Sequence, residues 1–376
     1  MSEDFHIVFQ TDSTNASPPN IVEITDYEAE LIKSKNERKE QLASTLTTKL
    51  ANYLNSIDKS NSVENYIAGL VYGCAIGDCL GAQYKGRSSA GLKINKLEYS
   101  TYGFRGMDPY TWSDDTDQLV IAMNVFLSND MQFTMKDFSE SLLEWKKTGF
   151  SSFDNKKPHC SYLLNAVLSD PKYLNAPFSA AKAFHKKVGS IAPNCCLTRS
   201  SLFGLFPNWK TLVVNQCMLT HADPRCIYAC YQIAKITRAV LRRQFDISVD
   251  ELFSDYAEFI PSSWKTEMQN YIKKYNIPDV LSQLELDHDT ITEQQYVLRS
   301  LGCVVYAYKT LAHNREINVV LHEVLQAGGD TDTNCAVVGL ILGAAYGYMN
   351  IDASLILKLT NHKWLDTRIV DFLNML

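Results

Sequence analysis

The sequence predicts an all-α fold, a compact multi-helix array with no sizeable sheet. Three observations predict it. From Glu64 onward, apolar residues recur mostly at three- and four-residue spacing, as one face of a helix requires. Alternating apolar and polar runs of strand length are scarce. Glycine recurs at every fourth position in two apolar stretches, Gly69, Gly73, Gly77, Gly81 and Gly339, Gly343, Gly347. Positions i and i+4 share a helix face. Glycine costs a helix about 1 kcal/mol against alanine, and close approach of a neighbouring helix is the usual compensation. The expectation is two central helices packed tightly, with each other as candidate partners. These glycines lack the strand-loop-helix setting of a phosphate-cradling loop.

Residues 1–25 are polar, include Pro18-Pro19 and read as a loose arm. Residues 27–58 follow a helical pattern with many charges, Glu28, Glu30, Lys33, Lys35 and Arg38 among them, as a peripheral or partner-binding helix would. The division is therefore an arm over 1–60 and a main domain over 64–376. Within the domain, Asp117 to Leu127, Phe138 to Lys146, Pro224 to Arg243 and Gln294 to Leu311 have helical spacing, with loops at Gly149 to Pro158 and Ser190 to Asn194. The most apolar stretch, Cys335 to Met349, is too short to span a bilayer and reads as a buried core helix.

A chain of 376 residues can bury a large core, and its 36 basic and 42 acidic residues are well mixed. The absence of a long basic run argues against a nucleic-acid partner, and no segment argues for a membrane. The first twenty residues carry Glu3, Asp4, His6 and Asp12 instead of an apolar signal core. The ten cysteines lack paired zinc spacing. Reduced thiols and a cytoplasmic location are the expectation.

Two acidic clusters stand out. Ser113-Asp114-Asp115-Thr116-Asp117 precedes the apolar run Leu119 to Leu127, and Asp330-Thr331-Asp332-Thr333 precedes Cys335 to Met349. Asp, Ser and Thr cap helix N-termini, and acidic first turns suit the macrodipole. One cap needs one such residue, whereas each cluster has several and contains no Arg or Lys. Buried carboxylates must be protonated, paired or bound to metal, and oxygen ligands suit magnesium, manganese or calcium. Elaborate capping and a metal-dependent hydrolytic centre are both open on this evidence.

Five motifs in order resemble the ADP-ribosylglycohydrolase family, over about residues 64–350. They are Gly69 to Gly81 (GLVYGCAIGDCLG), Trp112-Ser113-Asp114-Asp115-Thr116, Ala192-Pro193-Asn194-Cys195-Cys196-Leu197-Thr198-Arg199, Thr220-His221-Ala222-Asp223-Pro224-Arg225, and Gly328-Gly329-Asp330-Thr331-Asp332-Thr333-Asn334. The resemblance implies a central buried pair of magnesium ions, with manganese as the substitute. Ser113, Asp114 and Asp115 would ligate from one side, and Asp330, Asp332 and Thr333 from the other. It implies catalysis by Asp114 and Asp115, and substrate contacts from Asn194, Arg199 and His221. The implied substrate is an ADP-ribosylated protein or small molecule, cleaved at the distal ribose by a chain expected to be monomeric. Three positions depart from the family pattern. Ser113 stands for threonine and keeps the hydroxyl. Cys195 stands for glycine. Lys85 stands where the family has a glutamate near its metals. The last two raise an alternative: an impaired relative that binds ADP-ribose or serves as a structural or interaction protein.

Overall fold

The computed structural model describes residues 48–56, 62–103, 107–153, 158, 160–189 and 191–376. The predicted arm, and the predicted helix as far as residue 47, lie outside the described residues. The end of that helix, α1 (Lys49–Ser56), is not a solvated surface element: Leu50, Ala51 and Leu54 are buried. Its start is tied down where Thr48 Oγ1 meets the Tyr348 hydroxyl at 2.8 Å and the Leu50 N–H donates to Asp366 Oδ2 at 3.3 Å.

The centre of the molecule is the pair α2 (Val63–Ala82) and α10 (Thr331–Tyr346), both buried almost end to end. They run antiparallel, since Gly69 lies on Gly343, Gly73 on Gly339, Gly77 on Cys335 and Gly81 on Thr331. A Cβ added at Gly73 would sit 2.0 Å from the Gly339 carbonyl oxygen, and one at Gly339 would sit 2.1 Å from that of Gly73. The glycine stripes therefore face each other, as the spacing predicts, and the backbones touch directly. Such contact favours weak Cα–H···O bonds and dense packing.

Around this pair stand α3 (Asp114–Ser128), α4 (Met135–Thr148), α5 (Leu197–Ser201), α6 (Trp209–Met218), α7 (Pro224–Leu241), α8 (Val297–Leu311), α9 (Ile317–Gln326) and α11 (His362–Leu373), with further helices between them. The strands among the described residues are two residues long: Arg87–Ser88 pairs antiparallel with Gly328–Gly329. Three predicted runs overshoot. The core stretch to Met349 stops being α-helix at Tyr346, where Gly347 turns with a φ of 82°. Helix α7 ends at Leu241, and Arg243 has a positive φ of 63°. The run from Gln294 is broken, because Tyr296 bridges Pro193 and the Val297 N–H donates to the Ala192 carbonyl at 2.8 Å. That bridge anchors the loop carrying Asn194 to the start of α8. No described helix is long and apolar enough to cross a membrane.

Candidate active site

Antiparallel packing puts the C-terminal end of α2 beside the N-terminus of α10, and α3 starts at the same place. Asp78, on the last turns of α2, is fully buried. Its Oδ2 accepts from the N–H groups of Ser113 and Thr116, both at 3.0 Å, and from Thr116 Oγ1 at 2.7 Å. A carboxylate from another helix thus satisfies donors at the N-terminus of α3. Ser113 caps the same helix, accepting from the Asp115 N–H. With these groups in place, Asp114 and Asp115 are surplus to capping. At α10, Asp330 occupies the cap position but makes no side-chain cap bond.

All six predicted ligands come from these two helix starts, and the structure joins the clusters directly. Thr333 Oγ1 donates to Asp115 Oδ2 at 2.7 Å. Asp115 Oδ1 is buried with no partner among the described residues. Lys85 lies across the other cluster, with Nζ 2.9 Å from Asp330 Oδ1 and 2.7 Å from Asp332 Oδ2. The second oxygen of Asp330 accepts from Asn194 Nδ2 at 2.8 Å, and Asn194 also donates to Ser300.

The charges are unbalanced. Burial pushes the Asp115 carboxyl up, and the neighbouring carboxylates of Asp114, Asp78 and Asp332 push it further. Burial also raises Asp114 and Asp332, against the pull of Lys85. Burial opposes ionisation of Asp330 as well, but Lys85 and Asn194 outweigh it and hold that carboxyl low. Lys85 is raised by Asp330, Asp332 and Asp115 despite its own burial. The donor set at Asp114 and Asp115 therefore fits a hard divalent cation: it offers carboxylate and hydroxyl oxygens, one of them a buried orphan. Asp330 and Asp332 already hold an ammonium.

The imbalance has a measurable consequence. Burial raises Asp117 to about 7, although the indoles of Trp112 and Trp145 donate to it at 2.8 and 2.9 Å. Unfolded, such a carboxyl titrates near about 4. Groups raised in this way bind protons on folding, so stability is present at low pH and falls as pH rises through the folded value. Asp330, already ionised in both states above pH 5, adds no slope there. In chelator, the melting temperature is expected to be higher at about pH 5.5 than at about pH 8. A rise across that interval would contradict this account of the charges.

The predicted substrate contacts fall into two groups. Asn194 reaches the acidic centre. Arg199 is fully buried behind it, and its guanidinium donates to Gln118, Gln216 and Thr220. It braces α3, α5 and α6 together. His221 is also buried, with Nδ1 2.7 Å from Thr220 Oγ1 and Nε2 3.3 Å from Cys195 Sγ. Cys195, in the family's glycine position, thus stands between His221 and Ser161, whose Oγ donates to Sγ at 3.2 Å. Behind the loop, the sulfurs of Cys196, Cys217 and Cys230 lie within 4.8 Å of one another. Cys217 and Cys230 donate to the carbonyls of His221 and Cys196, as core thiols do. All ten cysteines are free of disulfides. Asp78 is the site residue that sequence reasoning did not assign; its signal was a carboxylate embedded in the glycine stripe.

Five buried carboxylates, from Asp78, Asp114, Asp115, Asp330 and Asp332, thus gather from three helices of an all-α fold. The chain belongs to the ADP-ribosylglycohydrolase family, a family of glycosyl hydrolases, whose sequence profile matches residues 59–376. It is 24% identical over 303 residues to the ADP-ribosylarginine hydrolase Tri1 of Serratia proteamaculans, covering 78% of this chain and 75% of that one. It is 21% identical over 296 residues to an uncharacterized protein of Archaeoglobus fulgidus, covering 75% and 88%. The fold superimposes on an ADP-ribosylglycohydrolase-related protein complex with a TM-score of 0.62 at 19% identity, covering 83% of this chain and 98% of that chain.

Proposed function

We propose that this centre hydrolyses the glycosidic bond joining ADP-ribose to a protein side chain or small molecule, with a divalent cation, magnesium or manganese, as cofactor. The observation that carries the reading is the junction of the two clusters, where Thr333 holds one oxygen of Asp115 and leaves the other buried and unpartnered. When bound, the cation would supply Lewis acidity and a template for the ribose hydroxyls, with Ser113, Asp114, Asp115 and Thr333 as its ligands.

The chain's own residues supply the rest. Breaking the bond from the anomeric carbon to the acceptor leaves positive charge on the ribose, and carboxylates held in a dry site stabilise that charge. Water forms the new bond at the same carbon. Burial and neighbouring carboxylates raise the proton affinity of Asp114 and Asp115, so either of them, once ionised, is a base strong enough to take the water's proton. The leaving acceptor takes up that proton from the carboxyl as its bond to ribose breaks, which returns the carboxylate to its starting state. Asp78 and Ser113 keep the start of α3 in register, and Asn194 fixes the orientation of Asp330.

The test is release of ADP-ribose from ADP-ribosylarginine and ADP-ribosylserine peptides, with magnesium and then with chelator. Release is expected with magnesium, and loss is expected in chelator and in Asp114→Asn. Binding of ADP-ribose without release from either peptide would overturn the reading and favour a non-catalytic relative, the role that the lysine at position 85 first suggests.

A further inference from the structure

We propose that Lys85 is a built-in cation. Its ammonium stands where one of two divalent ions would sit, so this centre takes a single divalent ion, on the Asp114 and Asp115 side. The inference rests on the reading above that the centre binds metal.

The backbone fixes Lys85 over the second acidic cluster. Just before it, a Cβ at Gly81 would fall 2.2 Å from the Thr331 carbonyl oxygen, and Thr331 Oγ1 donates to the Gly81 carbonyl at 2.7 Å. Just after it, the Gly86 N–H donates to the Gly329 carbonyl at 2.7 Å, and Arg87 pairs with Gly329. Lys85 is thus held between two anchors that flank Asp330 and Asp332 on the other strand of chain. Its side chain is 17% exposed, against 2% and 4% for the two carboxylates.

The chemistry follows from the contacts. An ammonium is a compact charge with three donors. Two of them meet Asp330 Oδ1 and Asp332 Oδ2. The remaining oxygens of these residues are also engaged: Asp330 Oδ2 accepts from Asn194, and Asp332 Oδ1 accepts from the Thr333 N–H at 2.9 Å. A magnesium ion would need oxygens at about 2.1 Å, and cannot share this pair with an ammonium in contact. On the Asp114 and Asp115 side the situation is reversed, because Asp115 Oδ1 is buried, unpartnered and available. A glutamate at position 85 would add a ligand and a negative charge. Lysine removes that ligand and supplies one positive charge in its place.

Manganese binding tests the inference without relying on turnover. Calorimetry and electron paramagnetic resonance of the full chain should show one Mn2+ per chain and an isolated-ion spectrum. Lys85→Glu should raise the stoichiometry to two and give the spectrum of a coupled pair. Lys85→Met, which removes the charge and keeps the bulk, should lower the melting temperature in chelator and regain it with Mn2+. Two ions bound to the unaltered chain, or none, would overturn the inference; so would a Lys85→Glu chain that folds by circular dichroism and still binds one. Release of ADP-ribose is scored separately. One ion with no release would sink the proposed function alone, and two ions with release would sink this inference alone.

Discussion

Gly73→Ala is expected to abolish stable folding. The new methyl would lie 2.0 Å from the Gly339 carbonyl oxygen and 3.3 Å from Gly343 Cα, both backbone atoms that cannot rotate away. Relief requires separating α2 from α10 by about an ångström, and that would break the contacts of Gly69 and Gly77 as well, since all lie on one stripe. Overpacking costs about 1–3 kcal/mol where a core can adjust, and more where it cannot. A loss of about 4 kcal/mol outweighs the gain in helix propensity of about 1 kcal/mol, and is a large part of the total stability of an ordinary domain. Denaturant titration should show a much reduced midpoint or no soluble protein. Gly91→Ala is the control, because nothing lies within 4 Å of a Cβ there. A Gly73→Ala midpoint equal to that of the unaltered chain would refute the backbone contact.

The fold was legible because its strongest constraint is local. A four-residue glycine period marks a close-packed face before any partner is known, and both partners carried it. The acidic clusters were legible as surplus caps for the same reason: each excess lies within one helix turn. Other features depend on distant residues. The pairing of Lys85 with Asp332 joins positions 247 apart, so the sequence showed the departure from glutamate but not what the lysine touches. Asp78 caps a helix that begins 36 residues later, and a single aspartate in an apolar helix gives no sign of direction. Arg199 and His221 sit in motifs that suggested ligand contact, yet the Arg199 partners Gln118, Gln216 and Thr220 and the His221 partner Cys195 lie on other elements and enclose them. The break before α8 was missed because Gln295 and Tyr296 fit helical spacing, while a bridge to Pro193 takes the backbone instead.

Asp115→Asn is expected to reduce ADP-ribose release by about 100-fold or more, the scale of a lost proton acceptor or a lost transition-state charge, while making the metal-free protein more stable. The two effects share one cause. Asp115 is buried among Asp78, Asp114 and Asp332, and their repulsion raises its pKa. An amide of the same shape keeps an oxygen for the Thr333 hydroxyl and removes the repulsion, so the melting temperature in chelator should rise. Asp332→Asn should have the opposite effect on stability. It removes one of the two carboxylates that hold the Lys85 ammonium at 2.7 and 2.9 Å, and breaking a buried pair from one side leaves charge uncompensated. Activity and chelated stability should then fall together. This difference in sign separates a strained functional carboxylate from a structural one, because sites that hold unpaired charge for function commonly do so at a cost in stability. Asp115→Asn with lower stability and full activity would show that Asp115 belongs to the packing of α3 against α10, and that the buried orphan oxygen has no part in the chemistry.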